Sequence, residues 1–356
     1  MKIKAGNITK IKTGKLDANA SSPDGKYPFF TCSKDPLKIN TYSYDCECVL
    51  VAGNGDLNVK YYNGKFDAYQ RTYIIEDNSN GLLYMPYLYY FLEGYIEELR
   101  KQSIGGVIKY IKLGNLTDAL IELPSIEEQK YIVNLMNTSS ELIDLRRETI
   151  NKLDSLVKAR FIEMFGDPYT NPLKWEKLKI KDAVTVEPQN GLYKPQSDYV
   201  TDRSGIPILR IDGFYDGIVT DFASLKRLKC SETEKQKYLL LEDDIVINRV
   251  NSIEYLGKCA HIKGLLEDTV YESNMMRMHF DPESYNPAYI CKLLCSQFIY
   301  DQIVNHAKKA VNQASINQKD VLDFNIYQPP VDLQNQFADF VQQVDKSKYD
   351  DMYIRY

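Results

Sequence analysis

The sequence predicts an α+β protein in which two similar domains of mixed strands and helices are joined by a long helix. Three observations predict this fold class: segments of the first half recur in the second half, a helical pattern runs without interruption between the halves, and the composition is that of a globular chain. With 356 residues, the chain is long enough for two or three domains, each with its own hydrophobic core.

The clearest recurrence lies near the end of each half. Residues 111–120 align with residues 316–325 at an offset of 205 (316 minus 111). The same offset places Gln129 opposite Gln334, and Pro124 likewise meets a proline. Because the matching positions keep their order and spacing, they indicate one long duplication rather than a short solenoid repeat.

Two further pairs of segments extend the duplication toward the start of each half. Pro86 and Pro287 each open an apolar segment typical of a helix with proline in its first turn, where the missing N–H is harmless. Upstream, the apolar triplets 49–51 and 245–247 are typical of buried strands. Each half is therefore predicted to contain mixed strands and turns, a helix, a short strand and a helix that follows a proline.

The joining helix is predicted from Ser125 to Phe165. Ser125 and Glu128 have the spacing of a capping box, which satisfies the first free N–H groups of a helix. No proline or glycine follows until Gly166, and apolar residues recur at steps of three and four. At about 1.5 Å per residue the helix would be about 60 Å long, which favours a partner helix in a coiled coil. Packing on its own domain alone is the alternative.

Cysteine and histidine do not predict a metal site or a disulfide framework. The seven cysteines are odd in number and form no pair with zinc-type spacing, and the chain has three histidines. Buried free thiols are the favoured interpretation. The sequence contains no apolar run that could span a bilayer and no signal peptide, so we expect a cytoplasmic protein.

The net charge of −5 counts against a generally basic surface of the kind that many nucleic-acid-binding proteins have. It does not exclude a local basic surface on a chain whose other surfaces are acidic.

Five segments resemble the conserved regions of Type I restriction–modification specificity subunits. Residues 123–129 and 163–168, at the two ends of the joining helix, are similar to the central conserved region of that family. Residues 329–334 and 337–341 resemble its distal conserved region, and the Trp-Glu-Lys-Leu segment at 175–178 resembles the start of a target-recognition domain. The resemblance covers nearly the whole chain.

This resemblance implies four parts. Two target-recognition domains would occupy residues 1–124 and 166–330, with a central conserved spacer helix at 125–165 between them. A distal conserved helix would follow at 331–356, short beside the long helix pair usual in the family.

The resemblance also implies what the chain does. A specificity subunit binds a bipartite target in double-stranded DNA, with one domain for each half, and directs methyltransferase (modification) subunits and restriction/motor subunits to it. S-adenosylmethionine, ATP and magnesium belong to those partners. We therefore expect no bound cofactor, no metal, no catalytic residue and no membrane association in this chain.

Loops that carry Arg, Lys, Asn and Gln are the candidates for DNA contact, because these side chains read base edges and bind phosphates. Residues 61–65 have the composition of a turn, and residues 248–252 follow a predicted buried strand. Residues 308–313 align with residues 103–108 and resemble a loop that faces DNA in the family. The candidates are Tyr61, Asn63, Lys65, Gln70, Arg71, Asn248, Arg249, Asn251, Ser252, Lys258, Lys308, Lys309, Asn312 and Gln313. Solvated turns, or packing on a sheet for the tyrosines, are the alternatives.

A stand-alone DNA methyltransferase or nuclease with a fused recognition domain is one alternative function, and a two-domain protein-binding scaffold is another. Asn286-Pro287-Ala288-Tyr289 is similar to the Asn-Pro-Pro-Tyr loop of adenine methyltransferases, but it lacks the second proline and opens a predicted helix. No glycine-rich loop for a methyl donor and no phosphate-binding lysine loop is found. The acidic run 242–244 stands at a strand entrance without a matching lysine, so a nuclease site is not predicted.

Overall fold

The computed structural model of the protein describes residues 2–311 and 313–353, with side chains described as far as Lys348. The chain forms two compact units, Met1–Arg147 and Glu148–Tyr356, which we call unit 1 and unit 2. The division falls inside the predicted joining helix, so each unit contains one end of it.

Unit 1 is a mixed sheet covered by short helices. Its strands are β1 (Lys2–Lys4), β2 (Thr9–Thr13), β3 (Tyr27–Phe30), β4 (Leu37–Ile39), β5 (Tyr44–Ala52), β6 (Val59–Ala68), β7 (Thr72–Asp77) and β8 (Leu120–Glu122). Its helices are α1 (Met85–Gly94), α2 (Ile96–Gln102) and α3 (Leu113–Thr117), and α4 (Ile126–Phe165) begins here.

Six strands of unit 1 form one sheet in the order β2-β7-β5-β6-β3-β4, and β1 pairs with β8 apart from it. The central strand β5 contains the predicted triplet Val49-Leu50-Val51, which is fully buried. Val49 and Val51 face α1, where they pack with Leu88 and Leu92 in one cluster, while Leu50 belongs to a second cluster with Phe66. The buried-strand prediction is confirmed.

Unit 2 contains the same set of elements with additions. Its strands are β9 (Glu176–Lys179), β10 (Val184–Asn190), β11 (Tyr199–Val200), β12 (Ile206–Leu209), β13 (Phe214–Tyr215), β14 (Gly217–Val219), β15 (Arg227–Leu228), β16 (Ile245–Asn248), β17 (Val250–Asn251), β18 (Cys259–His261), β19 (Val270–Tyr271), β20 (Met275–Phe280), β21 (Lys308–Lys309), β22 (Ala314–Ser315) and β23 (Asn325–Gln328). Its helices, besides the end of α4, are α5 (Glu232–Tyr238), α6 (Pro287–Leu294), α7 (Gln297–His306), α8 (Gln318–Leu322) and α9 (Val331–Tyr353).

The pairing of strands shows that unit 2 repeats unit 1. β16 lies between β20 and β18 as β5 lies between β7 and β6, and in both units the pairs are antiparallel. A parallel pair also recurs, β3 with β6 and β12 with β19. The final pair of each unit, β1 with β8 and β9 with β23, is antiparallel. The duplication inferred from sequence is therefore confirmed as a duplication of fold.

Two glycines mark the same close approach in both units. A Cβ atom on Gly14 would lie 2.2 Å from the carbonyl oxygen of Ala68, and one on Gly191 would lie 2.3 Å from that of Glu272. The amide that follows each glycine also makes the matching bond, Lys15 to Ala68 and Leu192 to Tyr271. No larger residue fits at either position without moving the backbone.

The joining helix runs from Ile126 to Phe165, as predicted. Ser125 and Glu128 form the expected capping box, with the Glu128 carboxylate 2.9 Å from the Ser125 amide and the Ser125 hydroxyl 3.3 Å from the Glu128 amide. At the other end, Gly166 has a φ of +78° and its amide bonds to the Ile162 carbonyl. This is the usual way in which a glycine terminates a helix.

Within unit 2, α9 packs on the end of α4. Phe337 of α9 contacts the rings of Phe161 and Phe165 with centroids 5.5 and 5.4 Å apart, and both α4 rings contact Tyr289 of α6. Further along, Lys348 Nζ lies 2.6 Å from the Asp154 carboxylate. The predicted partner helix is therefore present for this part of α4, and α9 is described as far as Tyr353.

One local prediction was wrong. Residues 61–65 are not a turn but the middle of β6, paired with residues 45–49 of β5. Gly64, which suggested a turn, has a φ of +135° within the strand and permits a local departure from regular geometry. In the described part of the chain no helix is both long and apolar enough to cross a membrane.

Candidate nucleic-acid interface

A hairpin meets the end of the central strand in unit 1. The Gly53 amide donates to the Arg71 carbonyl at 2.8 Å, and the Gly53 carbonyl accepts from the Ile111 amide at 2.9 Å. Arg71 belongs to the turn between β6 and β7, and Ile111 ends the hairpin that follows α2. These bonds join the 53–55 turn, the 69–71 turn and the hairpin 104–110 into one surface, which we call platform 1.

The hairpin of platform 1 is closed by two reciprocal bonds. Ile104 and Tyr110 exchange amide-to-carbonyl hydrogen bonds of 3.0 and 2.9 Å. Gly105 has a φ of +115°, and a Cβ atom there would lie 2.6 Å from the Ile108 carbonyl oxygen, so the tight turn requires glycine. The Lys109 carbonyl accepts the Gly55 amide at 3.0 Å, which fixes the returning strand of the hairpin to the 53–55 turn.

Unit 2 builds the same surface with different residues. The Arg249 amide donates to the Asn274 carbonyl at 2.8 Å, and the Arg249 carbonyl accepts from the Ile316 amide at 3.1 Å. The hairpin β21–β22 follows α7, and β22 pairs with β17. We call the 249–251 segment, the 272–274 turn and this hairpin (described residues 308–311 and 313–315) platform 2.

The two platforms match in backbone and differ in side chains. Gly53 corresponds to Arg249, Arg71 to Asn274, and Ile111 to Ile316, because each member of a pair makes the same main-chain bonds. A scaffold that is kept while its exposed side chains change can present two different polar patterns. Recognition of a DNA sequence requires such a pattern of polar side chains, because each base pair presents its own set of hydrogen-bond donors and acceptors.

Exposed cations accompany both platforms. Arg71 and Lys109 are exposed on platform 1, and Lys308 and Lys309 on platform 2. Across residues 2–311 and 313–348, none of these four side chains has a hydrogen bond or ion pair with another residue. By contrast Arg100, near platform 1, is held by Asp56 and Glu97. Although the chain is acidic overall, each platform thus has cations available for phosphates.

Comparison with known proteins identifies the family. The sequence model of the Type I restriction modification DNA specificity domain matches residues 1–155 and, a second time, residues 172–350. The chain belongs to this family. The double match of the specificity domain agrees with the two units of the fold, and it confirms the resemblance seen in the sequence.

Similar proteins include two Type I restriction enzyme specificity subunits. The EcoDI subunit of Escherichia coli is 39% identical over 156 residues, which are 44% of this chain and 34% of that protein. The EcoKI subunit of Escherichia coli strain K12 is 25% identical over 279 residues, which are 74% of this chain and 59% of that protein. The segments of this chain that align with these two relatives therefore cover about a third and about three fifths of the relatives' own lengths.

Solved structures share the fold. The crystal structure of a Type I restriction–modification S subunit from M. genitalium superposes with a TM-score of 0.61 at 15% identity, covering 98% of this chain and 90% of that one. A chain from a structural study of complex assembly and conformational transition in the Type I system gives 0.53 at 17% identity, with coverage of 98% and 90%. At these identities the likeness concerns the specificity-subunit fold.

Of the predicted contacts in the first specificity domain, Gln70 and Arg71 lie on platform 1, where Gln70 Nε2 donates to Asp17 at 2.9 Å. The other three, Tyr61, Asn63 and Lys65, share the exposed side of β6. Tyr61 donates to Glu47 at 2.7 Å, and burial together with this bond raises the pKa of Tyr61. The Lys65 ammonium lies 4.7 Å from the ring centroid of Tyr42. A hydrogen bond with the Tyr42 side chain, together with the Coulombic interaction with it, raises the pKa of Lys65.

In the second specificity domain the structure corrects the role of Asn248. Its side chain is fully buried, accepts the Val250 amide at 3.2 Å and donates to the Tyr255 carbonyl at 3.4 Å. It therefore holds the loop that follows β16 and is not available on the surface. The sequence suggested exposure because the neighbouring residues are polar, but the 249–258 segment folds back over it.

Arg249 is half-buried in the base of platform 2. One terminal nitrogen donates to the Ser273 carbonyl at 3.2 Å, while its Nε is buried without a partner among the described residues. Asn251 and Ser252 are half-buried beside it, with the Ser252 amide bonded to the Asn251 side chain at 2.8 Å. These three residues stay predicted contacts, with less exposed surface than a free loop would have.

Lys258 is half-buried, and its side chain is held inside unit 2. Its ammonium donates to the Ile211 carbonyl at 2.8 Å and lies 3.8 Å from the ring centroid of Tyr215. Burial lowers the pKa of Lys258, although Asp212 and Asp216 act in the opposite direction. A side chain held in this way is a poor candidate for DNA contact.

The remaining candidates belong to the platform 2 hairpin. Lys308, Lys309 and Gln313 are exposed, and the Ala310 amide closes the turn by donating to the Gln313 carbonyl at 2.7 Å. Asn312, also predicted, lies outside the described residues.

Sequence reasoning missed two platform residues. Lys109 lies next to the 103–108 segment that was aligned with 308–313, so a slightly longer alignment would have included it. No sequence pattern points to Asn274. Only its main-chain bond to Arg249 shows that it occupies the position in platform 2 that Arg71 occupies in platform 1.

The motifs of the alternative enzyme have structural roles. Asn286 caps α6 by accepting the Ala288 amide at 2.9 Å, and Tyr289 is buried with its hydroxyl 3.2 Å from the Tyr327 carbonyl. In the acidic run, Asp244 is buried and contacts Arg277 and His279 at 3.3 and 3.1 Å. Among the described residues, no group of three or more His, Cys, Asp and Glu side chains is arranged to hold a metal.

Proposed function

We propose that this chain is the DNA sequence-specificity subunit of a Type I restriction–modification complex, and that each platform reads one half of a bipartite site in double-stranded DNA. The observation that carries the proposal is the repeated platform, in which one main-chain scaffold presents two different sets of side chains beside exposed cations. Phosphate contacts by the cations would position each unit, and base contacts would select the sequence.

The exposed apolar side of α4 supports a second part of the proposal, the docking of methyltransferase subunits. Tyr131, Leu135 and Leu142 are exposed on the part of α4 that belongs to unit 1. Exposed apolar side chains at helical spacing are typical of surfaces that a partner covers. Restriction/motor subunits would join the resulting complex.

In this proposal the chain is not catalytic and works in the cytoplasm. Methyl transfer would use S-adenosylmethionine on the methyltransferase subunit, and cleavage would use ATP and magnesium on the motor subunit. The chain itself would bring the DNA sequence to those subunits.

The test is reconstitution of this chain with a methyltransferase (modification) subunit from the same organism. We expect methylation of specific DNA sites by the complex and none by the methyltransferase subunit alone. Replacing both platform 2 lysines, Lys308→Glu with Lys309→Glu, should weaken DNA binding and leave subunit assembly intact. Methylation or cleavage by the purified chain alone would contradict the proposal and favour the alternative enzyme.

A further inference from the structure

The two most exposed large apolar side chains of the described chain occupy equivalent positions. Val107 lies at the tip of the platform 1 hairpin with 104% relative exposure, and Val311 lies at the tip of the platform 2 hairpin with 98%. The two positions are 204 residues apart (311 minus 107), within one residue of the offset of the duplication. One fully exposed valine would need no explanation. Two fully exposed valines at equivalent positions indicate that the apolar side chain has a function at both hairpin tips.

Both valines are presented by closed hairpins rather than by loose ends. Two bonds close the 104–110 hairpin, and β21 pairs with β22 in the other. Each hairpin is also bonded to the segment that follows the central strand, 53–55 or 249–251. The fold therefore directs an apolar tip away from each unit, at a hydrophobic cost that burial in a partner would remove.

The surroundings of the tips identify the partner as nucleic acid. Lys109 stands beside Val107, and Lys308 with Lys309 precedes Val311, all exposed. Docking surfaces for proteins are depleted in lysine. Both hairpins carry exposed lysines, and on platform 1 the exposed side chains of Ile104, Ile108 and Tyr110 add to the apolar surface beside Val107. An apolar tip on a hairpin that also carries lysines fits DNA, whose phosphates line a groove with base edges and base steps inside it.

We propose that Val107 and Val311 make apolar contacts with the bases of the DNA target, one in each half-site. This inference rests on the proposed function and assigns a chemical role to two residues within it. A valine side chain has no donor or acceptor, so it can act in two ways. It can pack on the methyl group of thymine in the major groove, or it can insert between base steps in the minor groove and bend the duplex.

The experiment compares Val107→Ser and Val311→Ser in the reconstituted complex with the methyltransferase subunit. Competition binding at constant salt measures the preference for the target over duplexes with one half-site scrambled. Each variant should lose about fivefold or more of this preference, since one unsuitable base pair costs about 1–3 kcal/mol. The loss should affect one half-site for Val107→Ser and the other for Val311→Ser.

Two control variants separate this role from general binding. Leu266→Ser replaces another exposed apolar residue, in a loop between β18 and β19 that unit 1 lacks, and should leave the preference unchanged. Lys309→Ala should weaken binding to all sequences alike and reduce its salt dependence, as expected for a phosphate contact.

Replacing thymine by deoxyuridine in the target distinguishes the two modes. If a valine packs on a thymine methyl group, the replacement weakens the wild type and not the serine variant. If the valine inserts between base steps, the wild type binds both targets equally, and the serine variants show less bending in a fluorescence energy-transfer assay.

Serine variants that retain the full preference of the wild type would overturn the inference, as would variants that weaken all sequences alike. In either case the proposed function still holds if the wild-type complex prefers its target over duplexes with one half-site scrambled. A wild-type complex without any sequence preference would overturn both.

Discussion

Two buried glutamines hold the same junction in both units. Gln129 Nε2 donates to the carbonyls of Leu82 and Pro124 at 2.8 and 2.9 Å, and its Oε1 accepts the Tyr84 amide at 2.8 Å. Gln334 repeats all three bonds, with the carbonyls of Ser284 and Pro329 and the amide of Asn286 at 3.0, 2.7 and 2.9 Å. Both side chains are fully buried. The glutamine therefore joins the start of α4 or α9 to the segment that opens α1 or α6.

Replacing Gln129 by leucine should destabilise unit 1 by about 3 kcal/mol, because three buried main-chain groups lose their partner at once. Hydrogen exchange followed by mass spectrometry should show faster exchange in α1 and unchanged exchange in α6. Gln334→Leu should give the reverse pattern. Gln343→Leu, at an exposed position of α9, is the matched control. Equal exchange in α1 for the Gln129 variant and the wild type would show that these bonds do not stabilise the junction.

The largely buried position of His261 predicts that the stability of the fold depends on pH. Burial lowers the pKa of His261, and the nearby Asp243 carboxylate, 2.8 Å from Nε2, only partly opposes this. The unfolded chain then takes up the proton at a higher pH than the folded chain does. The stabilising contribution is complete above the unfolded pKa and is lost as the pH falls through the folded pKa.

The measurement is the free energy of unfolding of the wild type and of His261→Gln between pH 7.5 and pH 5. On acidification the wild type should lose more stability than the variant, so that their difference shrinks. If the wild type instead gains stability relative to the variant on acidification, the ion pair between protonated His261 and Asp243 stabilises the fold by more than the burial of the charged imidazole destabilises it.

At the scale of elements, the exposed apolar side of α4 gives a prediction about assembly. Leu135→Glu combined with Leu142→Glu should abolish co-purification with the methyltransferase subunit, because a charge would have to be buried in the interface. Ser140→Glu adds the same charge on a different side of α4 and should leave assembly unchanged. Circular dichroism should show the same helix content in all variants. Normal assembly of the double leucine variant would place the docking surface elsewhere.

Local signals predicted the helices better than the loops. The bounds of α4 follow from Ser125, Glu128 and Gly166, since capping and termination depend on adjacent residues. The strand at 59–68 was missed because its pairing with β5 is a long-range contact, and Gly64 with its turn-like neighbours suggested the opposite. Asn248 was misplaced for a related reason, since the loop that buries it returns from residues 249–258.

At the scale of the whole molecule, the duplication was predicted from aligned prolines, glutamines and apolar triplets, whereas the platforms were not. Gly53 and Arg249 correspond in main-chain bonding but share no side-chain chemistry, so aligned residue types do not connect them. The side chains that would determine sequence specificity differ between the two platforms, so they do not align by residue type. The main-chain scaffold that the platforms share is therefore recognised only in the structure.

The most direct test of the central claim, that each unit reads its own half-site, is single-molecule sequencing of methylated bases. The DNA would come from cells that make this chain with its methyltransferase subunit. We predict a bipartite motif whose methylation requires the chain. Arg71→Ala should relax the sequence in one half only, and Gln313→Ala in the other half only, by about 1–3 kcal/mol of discrimination if each side chain makes a bidentate base contact. Relaxation of the same half by both variants, or an unchanged motif without the chain, would contradict the account.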